Sequence, residues 1–311
     1  MHPAWSIIFF TSVSGLGLGF SGWVVLGFLD LSSTLEIFYA ALISFGLIGA
    51  GLFSSTLHLG HPERAWRALS QWRSSWLSRE GVLAVLVLIF LAGWFLFTFL
   101  YRTPPPMVGA IICVLALVTV YATSMIYASL KTVACWNNQI TPACYLAFSI
   151  CGGALLTVLL TELFNQTSNN SLQYATIVTI VASWVIKFAW WWNLDHSKDH
   201  STTESATGLG SFGRVRSLMP PHTSENYLQK EMGFVIARKH AIKLRVISLV
   251  LGAVLPLCVL ITNPSSVPLI ALATGSHILG IFVERWLFFA EAKHVVSLYY
   301  GDDKVTTALT T

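Results

Sequence analysis

The sequence predicts an all-α, polytopic membrane protein with eight transmembrane helices. Three observations carry this reading. Of 311 residues, 55% are hydrophobic and only 10% are charged, whereas a soluble domain carries about 25% charged residues. The chain therefore cannot clothe a water-facing surface. The mean hydropathy is +0.68. The apolar residues also fall into eight runs, each near the roughly 20 residues a helix needs to cross the hydrocarbon core.

In order, the runs are 5–29, 35–58, 80–101, 107–130, 142–164, 171–192, 241–262 and 267–290. The first is too long for the apolar part of a signal peptide, and Met1 to Asp30 has neither a basic start nor a small-residue cleavage site. It is expected to be a retained span. Pro104, Pro105 and Pro106 stop the third run before the fourth, and Asn263 and Pro264 separate the seventh from the eighth. No internal repeat stands out. The whole chain, 1–311, reads as one integral-membrane domain.

Eight spans put both termini on one side, together with the connections 59–79, 131–141 and 193–240. Every one of the 18 Lys and Arg residues except Arg102 falls on that side, provided that Lys187 and Arg285 snorkel toward it from their helix ends. The positive-inside rule then places both termini and these connections in the cytoplasm. The tryptophans agree. Trp5, Trp66, Trp72, Trp76, Trp136, Trp190, Trp191, Trp192 and Trp286 gather toward the same ends, as expected of an interfacial aromatic belt.

Two glycine patterns invite a wrong reading. Gly17, Gly19 and Gly22 spell G-x-G-x-x-G, as do Gly208, Gly210 and Gly213. A dinucleotide site needs that pattern between a strand and a helix. The first lies inside a span, where Gly15 and Gly19 are expected to form a close-packing face. The second lies in a polar connection, where glycine supplies flexibility or a positive φ. The five cysteines, Cys113, Cys135, Cys144, Cys151 and Cys258, form no CxxC or CxxCH unit, so no iron–sulfur cluster, structural zinc or c-type haem is expected on this chain.

The connection 193–240 is the only sizeable polar segment. Its first part, 193–213, reads as loop. Thr223 or Ser224 is placed to cap a helix running toward the seventh span, with Glu225 in its first turn. A basic segment on anionic lipid and a docking platform for a soluble subunit explain it equally well. It is too short for a catalytic domain.

Titratable groups crowd the stretch His58 to Glu80, HLGHPERAWRALSQWRSSWLSRE. His58 ends the second run, Glu80 opens the third, and Arg64 lies between them. Antiparallel neighbours bring such ends to one membrane face. Residues 63–79 fit a short interfacial helix, with Trp66, Leu69, Trp72 and Trp76 on one arc at 100° per residue, although Arg73 falls inside that arc. Each group has a plain explanation: a polar helix end for His58, a favourable N-terminal carboxylate for Glu80, topology for Arg64. Together they are the parts that proton-coupled quinone redox needs. These are a histidine titrating near neutrality, a carboxylate leading to water, and a cation.

His277 lies in mid-span, where an ionisable group invites functional suspicion. No second histidine at similar depth is available for a bis-histidine haem, so His277 is expected to be a neutral interhelical residue. Glu284 and Arg285 are expected to pair, to snorkel or to line a quinone entrance. Glu36 and Glu162, at the outer face, carry little signal.

The motif HLGHPERAW followed by LSRE resembles that of the membrane-anchor subunits of the dimethyl sulfoxide reductase family. The opening MHPAWSIIFFT and the segment 206–234 are similar to the branch that serves cytoplasm-facing sulfite dehydrogenases (sulfite:quinone oxidoreductases). The resemblance implies an eight-helix anchor of a three-subunit molybdoenzyme in the bacterial cytoplasmic membrane. It also implies His58, Gly60, Arg64 and Glu80 as quinone-binding residues, with His58 and Glu80 catalytic. Ubiquinone or menaquinone would be the bound substrate. Molybdopterin and the iron–sulfur clusters would reside in partners, a catalytic subunit and a four-cluster iron–sulfur subunit. No haem and no nucleic-acid partner are expected. Electron flow to quinone during sulfite oxidation is the expected direction. The alternatives are a quinol-oxidising anchor of a dimethyl sulfoxide reductase-type complex, a secondary transporter, and a haem b anchor. A transporter would need a polar path at broken helices in matching halves.

Overall fold

The computed structural model describes residues 3–57, 61–166, 170–196, 201–216, 218–219, 240–262 and 265–300. Among them lie eight helices long and apolar enough to cross a membrane, and no strand. The first six are α1 (Trp5–Val25), α2 (Thr34–Thr56), α3 (Trp76–Tyr101), α4 (Pro106–Ala128), α5 (Ile140–Leu163) and α6 (Asn170–His196). A five-residue helix α7 (Thr203–Thr207) follows, then α8 (Ala241–Thr262) and α9 (Val267–Ala290). All eight spans read from the sequence are present.

Local chemistry sets the helix ends. Ser33 caps α2, its Oγ accepting from the Glu36 N–H at 3.2 Å while the Glu36 carboxylate accepts from the Ser33 N–H at 2.7 Å. Such a reciprocal cap satisfies two of the free donors at a helix start. Arg102 ends α3 in the left-handed region at φ 58°, and Pro106 opens α4, where a missing N–H costs nothing.

Helices α1 and α5 are the most buried and form the centre. α1 packs on α2, α4 and α5 and touches α9, while α5 also meets α6 and α9. Glycine permits the closest approaches. A Cβ on Gly19 would meet the Ser149 carbonyl of α5, and one on Gly153 would meet the α1 backbone at Gly19 and Phe20. Gly17 instead faces Leu47 and Ile48 of α2. The expected Gly15–Gly19 face is therefore corrected. A Cβ on Gly15 would meet nothing within 4 Å, and that residue's contribution is its carbonyl, which accepts from Ser149 Oγ at 2.6 Å. The outer surfaces carry apolar side chains such as Phe53, Ile89, Val178 and Leu272, which suits contact with lipid tails.

The connections correct several expectations. Residues 62–71 form a 3-10 helix rather than an α-helix reaching Arg79, and Trp76 already belongs to α3. At three residues per turn, residues i and i+3 eclipse, so Trp66 and Leu69 share one line and Arg64 and Arg67 another. Arg79 ties its end down, donating to the carbonyls of Trp72 (3.0 Å) and Arg73 (2.7 Å) while its guanidinium lies 4.3 Å from the Trp76 ring.

The polar segment after the sixth span is less uniform than a loop. α6 continues to His196, and Thr202 caps α7. Gly208 and Gly213 do have positive φ, at 69° and 136°. The expected helix from Thr223 lies outside the described residues. The tryptophans divide. Trp66, Trp72 and Trp192 are exposed, but Trp136, Trp190 and Trp191 are core residues, not belt.

Candidate functional site

Of the four residues singled out at 58–80, His58 and Gly60 lie outside the described residues. Arg64 is exposed on the 3-10 helix, 3.8 Å from Glu63, which also meets His61 Nδ1 at 3.0 Å. The structure does not bring Arg64 to Glu80.

Glu80 is placed differently from its plain explanation. Because α3 begins at Trp76, Glu80 is its fifth residue and no acidic residue occupies the first turn. The side chain turns inward, is 4% exposed, and faces α4. There Thr123 Oγ1 donates to Glu80 Oε1 at 2.6 Å. The same hydroxyl lies 3.1 Å from the Thr119 carbonyl. A buried carboxyl with one hydrogen-bonding side chain is costly unless it has a task.

Behind Thr123 is a cavity between α1, α4, α5 and α9. Ser12, Ser14, Thr123, Tyr145, His277 and Arg285 supply its polar wall. The space open to the centre of a water-sized sphere is about 40 Å³. Among the described residues, Ser12 Oγ, the Tyr145 hydroxyl and Arg285 Nη1 are buried there without a hydrogen-bond partner.

At the same end of the bundle sits a buried ion cluster. Lys187 of α6 lies 2.5 Å from Glu284 of α9, and Arg285 Nε lies 3.4 Å from the other oxygen of that carboxylate. All three side chains are at most 3% exposed. Lys187 Nζ lies 3.7 Å from the Trp190 ring centroid, and the Arg285 guanidinium lies 3.7 Å over Tyr145. The expectation that Lys187 and Arg285 snorkel is thereby corrected. An internal counter-ion and aromatic faces hold both cations inside the bundle.

His277 meets the expectation of an interhelical histidine. The seventh span widens into a π-turn at Val250–Val254, and the Gly252 carbonyl accepts from His277 Nδ1 at 2.7 Å. That bond puts the proton on Nδ1 and leaves Nε2 facing Cys151 Sγ at 3.8 Å.

Near the ends of their helices, Arg245 of α8 meets Asp195 of α6 (2.8 Å) and Glu291, which follows α9 (2.9 Å). Burial pushes the Glu291 carboxyl above the ordinary range against the pull of Arg245 and Lys187. Burial likewise raises the Cys135 thiol to about 12, so it stays protonated and inert.

Thr123, Tyr145 and the Lys187–Glu284 contact were not singled out in the sequence. The one available signal was Lys187 itself, a lysine inside an apolar run, which calls for an internal partner. Thr123 and Tyr145 look like any other hydroxyl in an apolar helix.

Eight helices long and apolar enough to cross a membrane, with buried charges held inside their bundle, define a multi-pass membrane protein. The sequence matches the DMSO reductase anchor subunit (DmsC) family over residues 1–301, and the chain belongs to that family. It is a membrane anchor subunit, and membership implies catalytic and iron–sulfur partner subunits. It is 30% identical to the C subunit of the sulfite dehydrogenase of Allochromatium vinosum, over 96% of this chain and 99% of the relative. It is 24% identical to the C chain of the anaerobic dimethyl sulfoxide reductase of Haemophilus influenzae, over 65% of this chain and 75% of the relative.

Proposed function

We propose that this chain is the quinone-reducing anchor of a three-subunit molybdoenzyme that oxidises sulfite in the cytoplasm. The observation that carries the reading is Glu80. It is a buried carboxyl, bonded to one side chain, next to a polar cavity and one helix away from the HLGHPER motif. Full-length similarity to the C subunit of a sulfite dehydrogenase supports sulfite as the electron source. Similarity to the relative from the dimethyl sulfoxide reductase supports a second reading, quinol oxidation. The Lys and Arg asymmetry supports a cytoplasmic site.

In this reading sulfite is oxidised on a molybdopterin subunit, and its two electrons pass through a four-cluster iron–sulfur subunit to quinone near His58. His58 hydrogen-bonds one quinone carbonyl, and Glu80 delivers a proton as the ring is reduced. Two electrons and two protons convert quinone to quinol, with the protons drawn from the cytoplasm. Donor and proton source then share one side, and no net charge crosses the membrane through this chain. Gly60 belongs to the same motif, and Arg64 adds positive charge nearby.

The test is the purified complex carrying His58→Ala or Glu80→Gln. Sulfite oxidation with a soluble dye should continue, while sulfite-driven quinone reduction should fall at least a hundredfold. Persistent quinone reduction in both variants would refute the site.

A further inference from the structure

We propose that the cavity between α1, α4, α5 and α9 holds a small cluster of water that hands protons to Glu80 through Thr123. This rests on the reading of Glu80 as the proton donor to quinone.

Size comes first. A water needs roughly 10–15 Å³ of space open to its centre, so the roughly 40 Å³ available admits about three. Polarity comes next. Water stays in a buried space only where it finds several polar partners. This wall offers Arg285 Nη1, the Tyr145 hydroxyl and Ser12 Oγ, all buried and without a hydrogen-bond partner among the described residues. Buried polar groups are seldom left unsatisfied. Three such atoms in the wall of one cavity point to a ligand with both donor and acceptor capacity, which is what water has.

The charges give the cluster a direction. Facing it or one contact behind are Glu80 from α3, Tyr145 from α5, Lys187 from α6, and His277, Glu284 and Arg285 from α9. Lys187 occupies one oxygen of Glu284. With Arg285 present, two cations share one carboxylate, and Arg285 keeps a free N–H. An arginine has donors only. It holds a water by the oxygen and turns its hydrogens away, toward the remaining acceptors. His277, its Nδ1 committed to Gly252, closes the far end as a neutral group. Thr123 stands on the wall and donates to Glu80 at 2.6 Å. Its hydroxyl is the link between water and carboxyl. The Arg285 guanidinium lies 3.7 Å over the Tyr145 ring.

The proton balance closes. The Glu80 O–H bond breaks and an O–H bond forms on the reduced quinone, whose electrons came from the iron–sulfur partner. Thr123 gives its proton to the Glu80 carboxylate and takes one from a cavity water. Solvent on the same side replaces that proton. Two such cycles complete one quinol.

The experiment uses the three-subunit complex in nanodiscs, with sulfite and a short-chain quinone in H2O and D2O and with dye reduction as the control. Thr123→Val should lower quinone turnover about tenfold, enlarge its solvent isotope effect and steepen the fall in rate toward high pH, with dye turnover unchanged. Thr123→Ser should restore most of the rate, and Tyr145→Phe should give a smaller loss of the same kind. If Thr123→Val does not assemble, Tyr145→Phe and the infrared O–D bands of trapped water carry the decision, and wild-type isotope effects with no such bands overturn the relay. A higher KM for quinone with an unchanged isotope effect would also overturn it, since the cavity would then seat the quinone ring. Wild-type complex without quinone reduction would instead sink the function proposed above. Normal quinone reduction with inert Thr123 and Tyr145 variants sinks the relay alone.

Discussion

The buried cluster of Lys187, Glu284 and Arg285 predicts an asymmetry that simple pair-counting does not. As ionised groups the three carry a net charge of +1. Glu284→Gln raises it to +2, with both cations still inside the bundle. Lys187→Met lowers it to zero and leaves Glu284 with Arg285 at 3.4 Å. Uncovering a buried charge costs about 3–5 kcal/mol, and the aromatic faces of Trp190 and Tyr145 return only about 2 kcal/mol per cation. We therefore expect Glu284→Gln to destabilise by roughly 3–5 kcal/mol. Lys187→Met, which keeps the long apolar stem, should cost roughly half of that or less. The double variant should be less damaged than the sum of the singles, because removing Lys187 relieves the excess charge left by Glu284→Gln. The assay is detergent-induced unfolding of the complex in mixed micelles, followed by tryptophan fluorescence, for both singles and the double. If Lys187→Met were the more damaging single, or the two effects simply added, the charge argument would fail.

The glycines give a paired prediction. Gly19→Ala should lose about 1–3 kcal/mol by overpacking against Ser149, whereas Gly15→Ala should be neutral or gain up to about 1 kcal/mol of helix propensity; thermal melts of the two variants decide. His277→Ala should cost about 1–3 kcal/mol by leaving the Gly252 carbonyl unpaired, read by the same melts, and a smaller cost than His277→Phe would show that the bond matters less than the space. Burial raises the folded-state Glu291 carboxyl above its unfolded value, so the folded state holds the extra proton. Stability should then fall as pH rises from the ordinary carboxylate range through that raised value. Arg245→Ala should steepen the fall, and a pH series of melting temperatures showing stability rising over that window would contradict it.

The fold was largely legible because the membrane leaves so few solutions. A span must satisfy its own backbone hydrogen bonds, so apolar length alone located all eight helices. What failed depended on neighbours. Trp190 and Trp191 have the composition of a belt, and only the position of Phe288 and Lys187 behind them makes them core. Arg285 looked able to snorkel because its side chain reaches the interface, but reach does not outweigh a counter-ion at 3.4 Å. The 3-10 pitch of 62–71 is invisible where apolar spacing is read at 100° per residue. Glu80 was found for its charge and its motif, yet its inward direction follows from a helix start four residues earlier than the apolar run suggests. His58, the other residue singled out most strongly, lies outside the described residues, and its role rests on the motif.

These differences have one physical origin. Sequence hydropathy measures the average environment of a segment, while chemistry inside a membrane depends on which few polar groups share a layer. Here Glu80 lies on α3, Thr123 on α4, Tyr145 on α5, Lys187 on α6 and Glu284 and Arg285 on α9. The longest gap in sequence between members of the layer exceeds most domains' span of local contacts, so no local window could join them. Each alone would be an expense in lipid. Grouped, the charges pair with one another, while Arg285 Nη1, the Tyr145 hydroxyl, Ser12 Oγ and both Glu284 oxygens have no hydrogen-bond partner among the described residues. The first three border the same cavity as Thr123, the hydrogen-bond partner of Glu80. Other buried atoms without a hydrogen-bond partner lie away from this space, so their presence alone does not mark a path. What a proposed path requires is the link from that space through Thr123 to a buried carboxyl, and the isotope measurements on Thr123→Val separate a relay from a purely structural cluster.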